Sequence, residues 1–264
     1  MNSLLKSGRY ITRRHFGRIA GGALVSFGFG IACRRSQGSD KPNDGRLVAR
    51  PRANVKPSAT GRIMLGLDSD RDAILWLPKT ANSTPPPLLV LFHGAGGSAE
   101  GVFRRLGSAA ENAGVAVLAP NSRDTTWDAI RDSFGPDVTF ANRALERVFE
   151  TVPVDPARVA VGGFSDGATY ALSLGLINGD LFSRVVAFSP GFLVDGTPHG
   201  KPRVFISHGT DDDILPIDRS GRLVVGQLQK RGYEVTFREF HGGHEIPTEV
   251  AHEGMVWVAR VVAA

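Results

Sequence analysis

At 264 residues, with 42% hydrophobic and 22% charged side chains, the chain has the make-up of an ordinary globular protein and enough length for one sizeable core. Its formal charge of +5 would suit nucleic acid or an anionic membrane, but the excess is local. Lys6, Arg9, Arg13, Arg14 and Arg18 lie in the first 32 residues with no acid among them, and beyond them 26 basic residues meet 26 acidic ones, which removes the case for a nucleic-acid partner.

Those first residues read as an export signal over residues 1–33: a basic segment, an apolar-to-small run from Ile19 to Ala32, then a polar tail. The run is too short to span a bilayer. The paired Arg13 and Arg14, followed by Phe16, resemble a twin-arginine signal, against an ordinary secretory signal that happens to hold two arginines. Cys33 is the only cysteine, so an internal disulfide is excluded. Its place in Gly30-Ile31-Ala32-Cys33 resembles a bacterial lipoprotein cleavage site, with Gly30 where that pattern has an aliphatic residue; an incidental thiol is the competing reading. The expectation is an exported domain whose only membrane contact is an N-terminal lipid. Residues 34–60 are polar, with prolines at 42, 51 and 57 and few large apolar side chains, and read as a flexible tether.

A catalytic domain is expected over residues 61–264. Two strand-like runs, Gly61 to Leu67 and Ala73 to Leu77, flank a turn-rich stretch and predict an antiparallel hairpin. Leu88 to Phe92 is unbroken apolar sequence, as in a strand buried on both faces. Helix and strand then alternate: a helix over Ala99 to Asn112, a strand over Val115 to Ala119, a helix over Val138 to Val152, a strand over Arg158 to Gly162 and a helix over Gly167 to Ile177. Strands follow at Arg184 to Ser189 and Val204 to Ser207, then a helix over Arg219 to Arg231, a strand over Glu234 to Phe240 and a closing helix from Pro247. That alternation predicts an α/β fold, a mostly parallel sheet with helices on both faces and an antiparallel N-terminal edge.

Gly163-Phe164-Ser165-Asp166-Gly167 sits between a strand and a helix. In a chain with 32 glycines a G-x-S-x-G run alone means little, but small residues around a serine at such a junction permit the tight turn that lifts its oxygen clear of the backbone. A serine needs a base within hydrogen-bond reach, and the base a carboxylate to orient it. Candidates follow in that order: His208-Gly209-Thr210-Asp211-Asp212-Asp213 and on to Pro216 after one strand, and His241-Gly242-Gly243-His244-Glu245 after the last. Two histidines, His241 and His244, compete for the base; Asp211 and Asp213 flank Asp212. His93 and His208, each followed by glycine at a strand end, read as structural or loop-shaping, and His199 and His252 carry no motif.

These three motifs, with the loop His93-Gly94-Ala95-Gly96-Gly97, resemble the small carboxylesterase and phospholipase-like branch of the α/β-hydrolases from Leu88 to the C-terminus. The resemblance implies the α/β-hydrolase fold, a Ser165-His244-Asp212 triad, backbone N–H groups of Ala95 and Asp166 as an oxyanion hole, and acyl transfer without metal or cofactor. A phosphate cradle is the rival for the glycine loop, but the Gly-Lys-Ser/Thr it needs is absent. Trp127, in the Pro120 to Asp128 stretch, is expected either to line the substrate pocket or to pack in the core. The expected substrate is a small or modest-length acyl ester, the alternative a polymer such as a polyester or a feruloylated polysaccharide, and the rival class a non-catalytic binding protein on the same scaffold.

Overall fold

The computed structural model describes residues 44–56, 60–82 and 84–261. The expected export signal, Cys33 within it, and the first part of the tether lie outside the described residues.

Eight strands and six α-helices occupy the described chain: β1 (Gly61–Met64), β2 (Ala73–Leu77), β3 (Leu88–Phe92), α1 (Ala99–Asn112), β4 (Ala116–Pro120), α2 (Asp128–Arg131), α3 (Pro136–Thr151), β5 (Val159–Phe164), α4 (Asp166–Ile177), β6 (Arg184–Phe188), β7 (Arg203–Gly209), α5 (Gly221–Lys230), β8 (Val235–Phe240) and α6 (Thr248–Ala259). They build one sheet in the order β1-β2-β4-β3-β5-β6-β7-β8. Only the β1–β2 and β2–β4 pairs are antiparallel, so the hairpin forms the expected edge and the other pairs are parallel.

The period-2 geometry of a strand explains the unbroken apolar runs. Leu88, Val90 and Phe92 enter one core while Leu89 and Leu91 enter the other, and all five are buried. The first core holds side chains of α3, α4 and α5; the second holds those of α1 and α6. At about 25 cal/mol per Å² of apolar surface, each fully buried leucine contributes about 1.5–3 kcal/mol. The central helix α4 is buried at every position from Gly167 to Ile177, which is why it lacks the polar stripe of a surface helix.

Two boundaries depart from the sequence expectation by more than two residues. The strand expected to run to Leu67 stops at Met64, because the Asp72 carboxylate accepts the Gly66 and Leu67 amides (2.7 and 3.0 Å) and Gly66 takes φ +64°, turning the chain. The tether expected over residues 34–60 does not extend through residues 44–52. Leu47 and Ala49 are buried, the Leu47 amide donates to Asn178 Oδ1 (2.8 Å), and Asn142 Oδ1 accepts the Val48 and Ala49 amides (2.8 and 2.9 Å). Arg46 also donates to the Ile177 carbonyl (2.6 Å) and pairs with Asp180. Two asparagine side chains therefore satisfy backbone groups that would otherwise keep this stretch in water.

Candidate active site

Only Ser165 separates β5 from α4, and the fold turns there on one residue. Its φ of 57° and ψ of −122° are unfavourable for a side chain with a Cβ, at about 1–3 kcal/mol, so neighbouring contacts must hold it. The Ser165 amide donates to the Phe188 carbonyl (2.9 Å), and its own carbonyl accepts the Ala168 and Thr169 amides (2.9 and 3.0 Å). Glycines let the backbones close around it: a methyl group on Gly163 would collide with the Gly167 carbonyl, and one on Gly167 with the Phe92 carbonyl.

The sheet brings Ser165, His244 and Asp212 into one chain of contacts. Ser165 Oγ lies 2.8 Å from His244 Nε2, and His244 Nδ1 lies 2.7 Å from Asp212 Oδ2. The carboxylate only accepts, so Nδ1 carries the proton and Nε2 is free to take one from the serine hydroxyl. Asp212 Oδ1 accepts the Ile214 and Leu215 amides (3.0 and 2.8 Å). Burial raises the Asp212 pKa, but the Leu215 amide and the imidazole outweigh it, and the carboxyl lies below its ordinary value.

The loops carrying these two groups are stitched together. Thr210 donates its amide to the Phe240 carbonyl and Asp211 donates to the Gly242 carbonyl, both at 2.9 Å. Gly209 makes the approach possible, since a Cβ there would strike the carbonyls of Gly242 and Gly243. The neighbouring candidates sit elsewhere: Asp211 pairs with His241 (2.7 Å) at the surface, where the His241 side chain is 93% exposed, and Asp213 is exposed. His208 reaches the triad itself, with Nε2 3.1 Å from Asp212 Oδ2.

The loop after β3 passes beside the serine, the Cβ position of Gly94 being 3.2 Å from Ser165 Cβ. Within it the Gly96 amide donates to the Thr125 carbonyl (2.7 Å) and the Gly97 amide to the Gly94 carbonyl (3.0 Å). The Ala95 amide has no acceptor among the described residues, and Asp166, first in α4, has no carbonyl four residues back within the helix. His93 braces the loop from below: Nδ1–H donates to the Gly94 carbonyl (2.8 Å) and Nε2 accepts the Ser122 amide (3.1 Å). Burial lowers its pKa, in keeping with a neutral ring.

Trp127 is core, not pocket. It is 1% exposed, packs against Phe92, His93 and Tyr170, and donates Nε1–H to the His93 carbonyl (2.8 Å). A ring that large with one N–H donor is stable inside once that donor is satisfied, and here the acceptor is the residue preceding the glycine loop. Its stretch is anchored in turn by two acids that sequence reading missed. Asp137 accepts the Arg123 and Asp128 amides (2.6 and 2.7 Å), and Asp128 accepts those of Gly135 and Asp137 (2.9 and 2.8 Å). Burial, reinforced by the Asp128 charge, pushes the Asp137 pKa up to about 6.

A cavity of about 120 Å³ adjoins the glycine loop and is lined by Gly94, Ala95, Gly97, Arg105 and Phe164 among others. Phe164 links it to the triad, its ring centroid 4.9 Å from that of His244. A larger cavity of about 450 Å³, bounded by Arg46, Phe134, Val194 and His199, contains none of the triad residues.

An eight-stranded sheet of this order, a strained serine between strand and helix, and acid and histidine loops on later strands define the class as α/β-hydrolase. The family described as Phospholipase/Carboxylesterase matches residues 140–253. Feruloyl esterase C of Emericella nidulans is 28% identical over 176 residues, 63% of this chain and 64% of that protein. Acyl-protein thioesterase 1 of Gibberella zeae is 29% identical over 106 residues, 36% and 45% of the two chains, so this chain spans less than two thirds of either relative. The fluorophosphonate-binding serine hydrolase F of Staphylococcus aureus has the same fold, with a TM-score of 0.62 at 16% identity over 78% of this chain and all of that one. Residues 140–253 thus match the Phospholipase/Carboxylesterase family, and the described domain has the α/β-hydrolase fold.

Proposed function

We propose that the protein is a serine-dependent carboxylic ester hydrolase working through an acyl-enzyme. The observation carrying this reading is the unbroken relay from Ser165 Oγ through His244 to Asp212, at 2.8 and 2.7 Å, beside the Ala95 amide, which has no acceptor among the described residues, and the first amide of α4. Ser165 Oγ attacks the ester carbonyl while His244 Nε2 takes its proton. The amides of Ala95 and Asp166 stabilise the resulting oxyanion, and Asp212 keeps the imidazolium oriented. Collapse breaks the ester C–O bond, and His244 returns the proton to the departing alcohol. Water, deprotonated by the same histidine, then releases the acid. A chromogenic short-chain ester tests the assignment: Ser165→Ala should lower kcat by about 10⁴-fold or more, and equal rates would refute it. Covalent labelling of the parent by a fluorophosphonate would exclude a non-catalytic binding protein, and failure to label would favour one.

A small or modest-length acyl ester is the proposed substrate. The relative named feruloyl esterase C favours one second reading, an exported esterase releasing acyl groups from a polymer. Release of ferulate from a polysaccharide at rates exceeding those on soluble esters would select it. Export, with Cys33 as the lipidated residue, is proposed from the basic, apolar and cysteine-terminated order of residues 1–33. Radioactive fatty acid incorporated equally by the parent and Cys33→Ala would overturn lipidation.

A further inference from the structure

His208 occupies the penultimate position of β7, and its side chain is fully buried against the hidden side of Asp212. Its Nε2 lies 2.8 Å from the Leu215 carbonyl and 3.1 Å from Asp212 Oδ2. Both are pure acceptors, so Nε2 carries a proton and divides it between them. Nδ1 is buried without a partner among the described residues, and the Gly221 backbone closes over it so tightly that a Cβ there would lie 2.6 Å away. A second proton on Nδ1 would have no acceptor, and burial accordingly lowers the His208 pKa.

We propose that His208 is a positioning residue: a permanently neutral hydrogen-bond donor that seats the Asp212 carboxylate so that Oδ2 meets His244 in a single orientation. The proposal rests on the triad reading above. Asp212 then has a donor set on each oxygen, the Ile214 and Leu215 amides on Oδ1 and the two imidazoles on Oδ2. Neutrality matters because His244 becomes positively charged in each chemical step, and a cation on the same carboxylate would oppose that charge. The remaining groups around His208 suit a neutral ring. Ser220 Oγ, 3.4 Å from Nε2, donates to the Leu215 and Pro216 carbonyls (3.0 and 2.8 Å). Glu239, its partner in register on β8, is engaged by Arg222 at 2.7 Å.

Two substitutions separate positioning from bulk. His208→Phe keeps an aromatic ring but no donor, and the Leu215 carbonyl retains Ser220. His208→Gln returns an N–H near the position of Nε2. A hydrogen bond to a charged group is worth about 1.5–3 kcal/mol, so His208→Phe should lower kcat by about 10- to 100-fold, with KM within about twofold and Gln recovering most of the loss. Gly221→Ala, which crowds the ring from behind while removing no polar group, should lower kcat in the same direction, with an overpacking cost of about 1–3 kcal/mol that thermal unfolding reads separately. A low-field ¹H resonance from His244 Nδ1–H reads the same contact without turnover. It should shift and exchange faster in His208→Phe and recover in His208→Gln, so the contact is tested even if the parent fails to hydrolyse esters. Folded His208→Phe protein with parental kcat and an unmoved resonance would overturn the proposal; if that variant does not fold, parental kcat and resonance in Gly221→Ala would do so.

Discussion

Replacing Trp127 by phenylalanine tests whether that side chain supports the glycine loop or contacts substrate. The substitution removes the Nε1–H donor to the buried His93 carbonyl (2.8 Å) while keeping an aromatic ring against Phe92 and Tyr170. Leaving a buried acceptor unsatisfied costs about 1–3 kcal/mol, and the partial void left by the smaller ring about 1 kcal/mol more. For a domain of this size each kcal/mol lowers Tm by about 2–4 °C, so a fall of about 5–15 °C is expected. His93 directly precedes the loop bearing Ala95, so kcat should fall with stability, about tenfold if the amide shifts enough to lose 1.4 kcal/mol of transition-state contact. Thermal unfolding and ester kinetics over graded acyl lengths read both effects. Unchanged Tm together with an altered acyl-length preference would refute the reasoning and return Trp127 to the substrate pocket.

Three further outcomes follow from the geometry. Asp212→Asn should lower kcat by about 10⁴-fold, by favouring the wrong imidazole tautomer, whereas Asp211→Asn should stay within about twofold; comparable losses would mean that the acid is misassigned. Asp137 binds its proton more tightly folded than unfolded, its pKa rising from the model-peptide 3.8 to about 6. Its contribution to stability is therefore greatest at low pH and declines as pH rises from about 4 to 6. Measured by urea unfolding, the stability of the parent relative to Asp137→Asn should fall by at most about 3 kcal/mol between pH 4 and 7, and a difference that grows with pH would contradict the burial argument. Asn178→Ala removes the acceptor of the Leu47 amide, so hydrogen exchange at Leu47 should accelerate by about tenfold or more; a Leu47 amide already unprotected in the parent would show that residues 44–52 do not pack as described.

What the amino-acid sequence determined by itself were features governed by local rules. Apolar runs bounded by turn residues set the strands, their alternation with helices set the parallel sheet, and Gly163, Ser165 and Gly167 marked a junction where a bulkier residue would collide. Each follows from backbone sterics or from burial on one or two faces, and each is readable within about ten residues. Tertiary structure decided whatever depends on a partner far along the chain. Residues 44–52 look like solvated tether until Asn142 and Asn178, more than 90 positions away, supply their acceptors. Trp127 suits pocket and core equally until the His93 carbonyl arrives 34 residues upstream. Asp211, Asp212 and Asp213 are chemically alike in sequence, as are His241 and His244. They separate only because β7 and β8 lie side by side, which buries one carboxylate against one imidazole and leaves the other pair in water. Burial and close approach at that spacing are properties of the packed sheet, where a strand's neighbour is chosen by the whole core and not by the residues next to it.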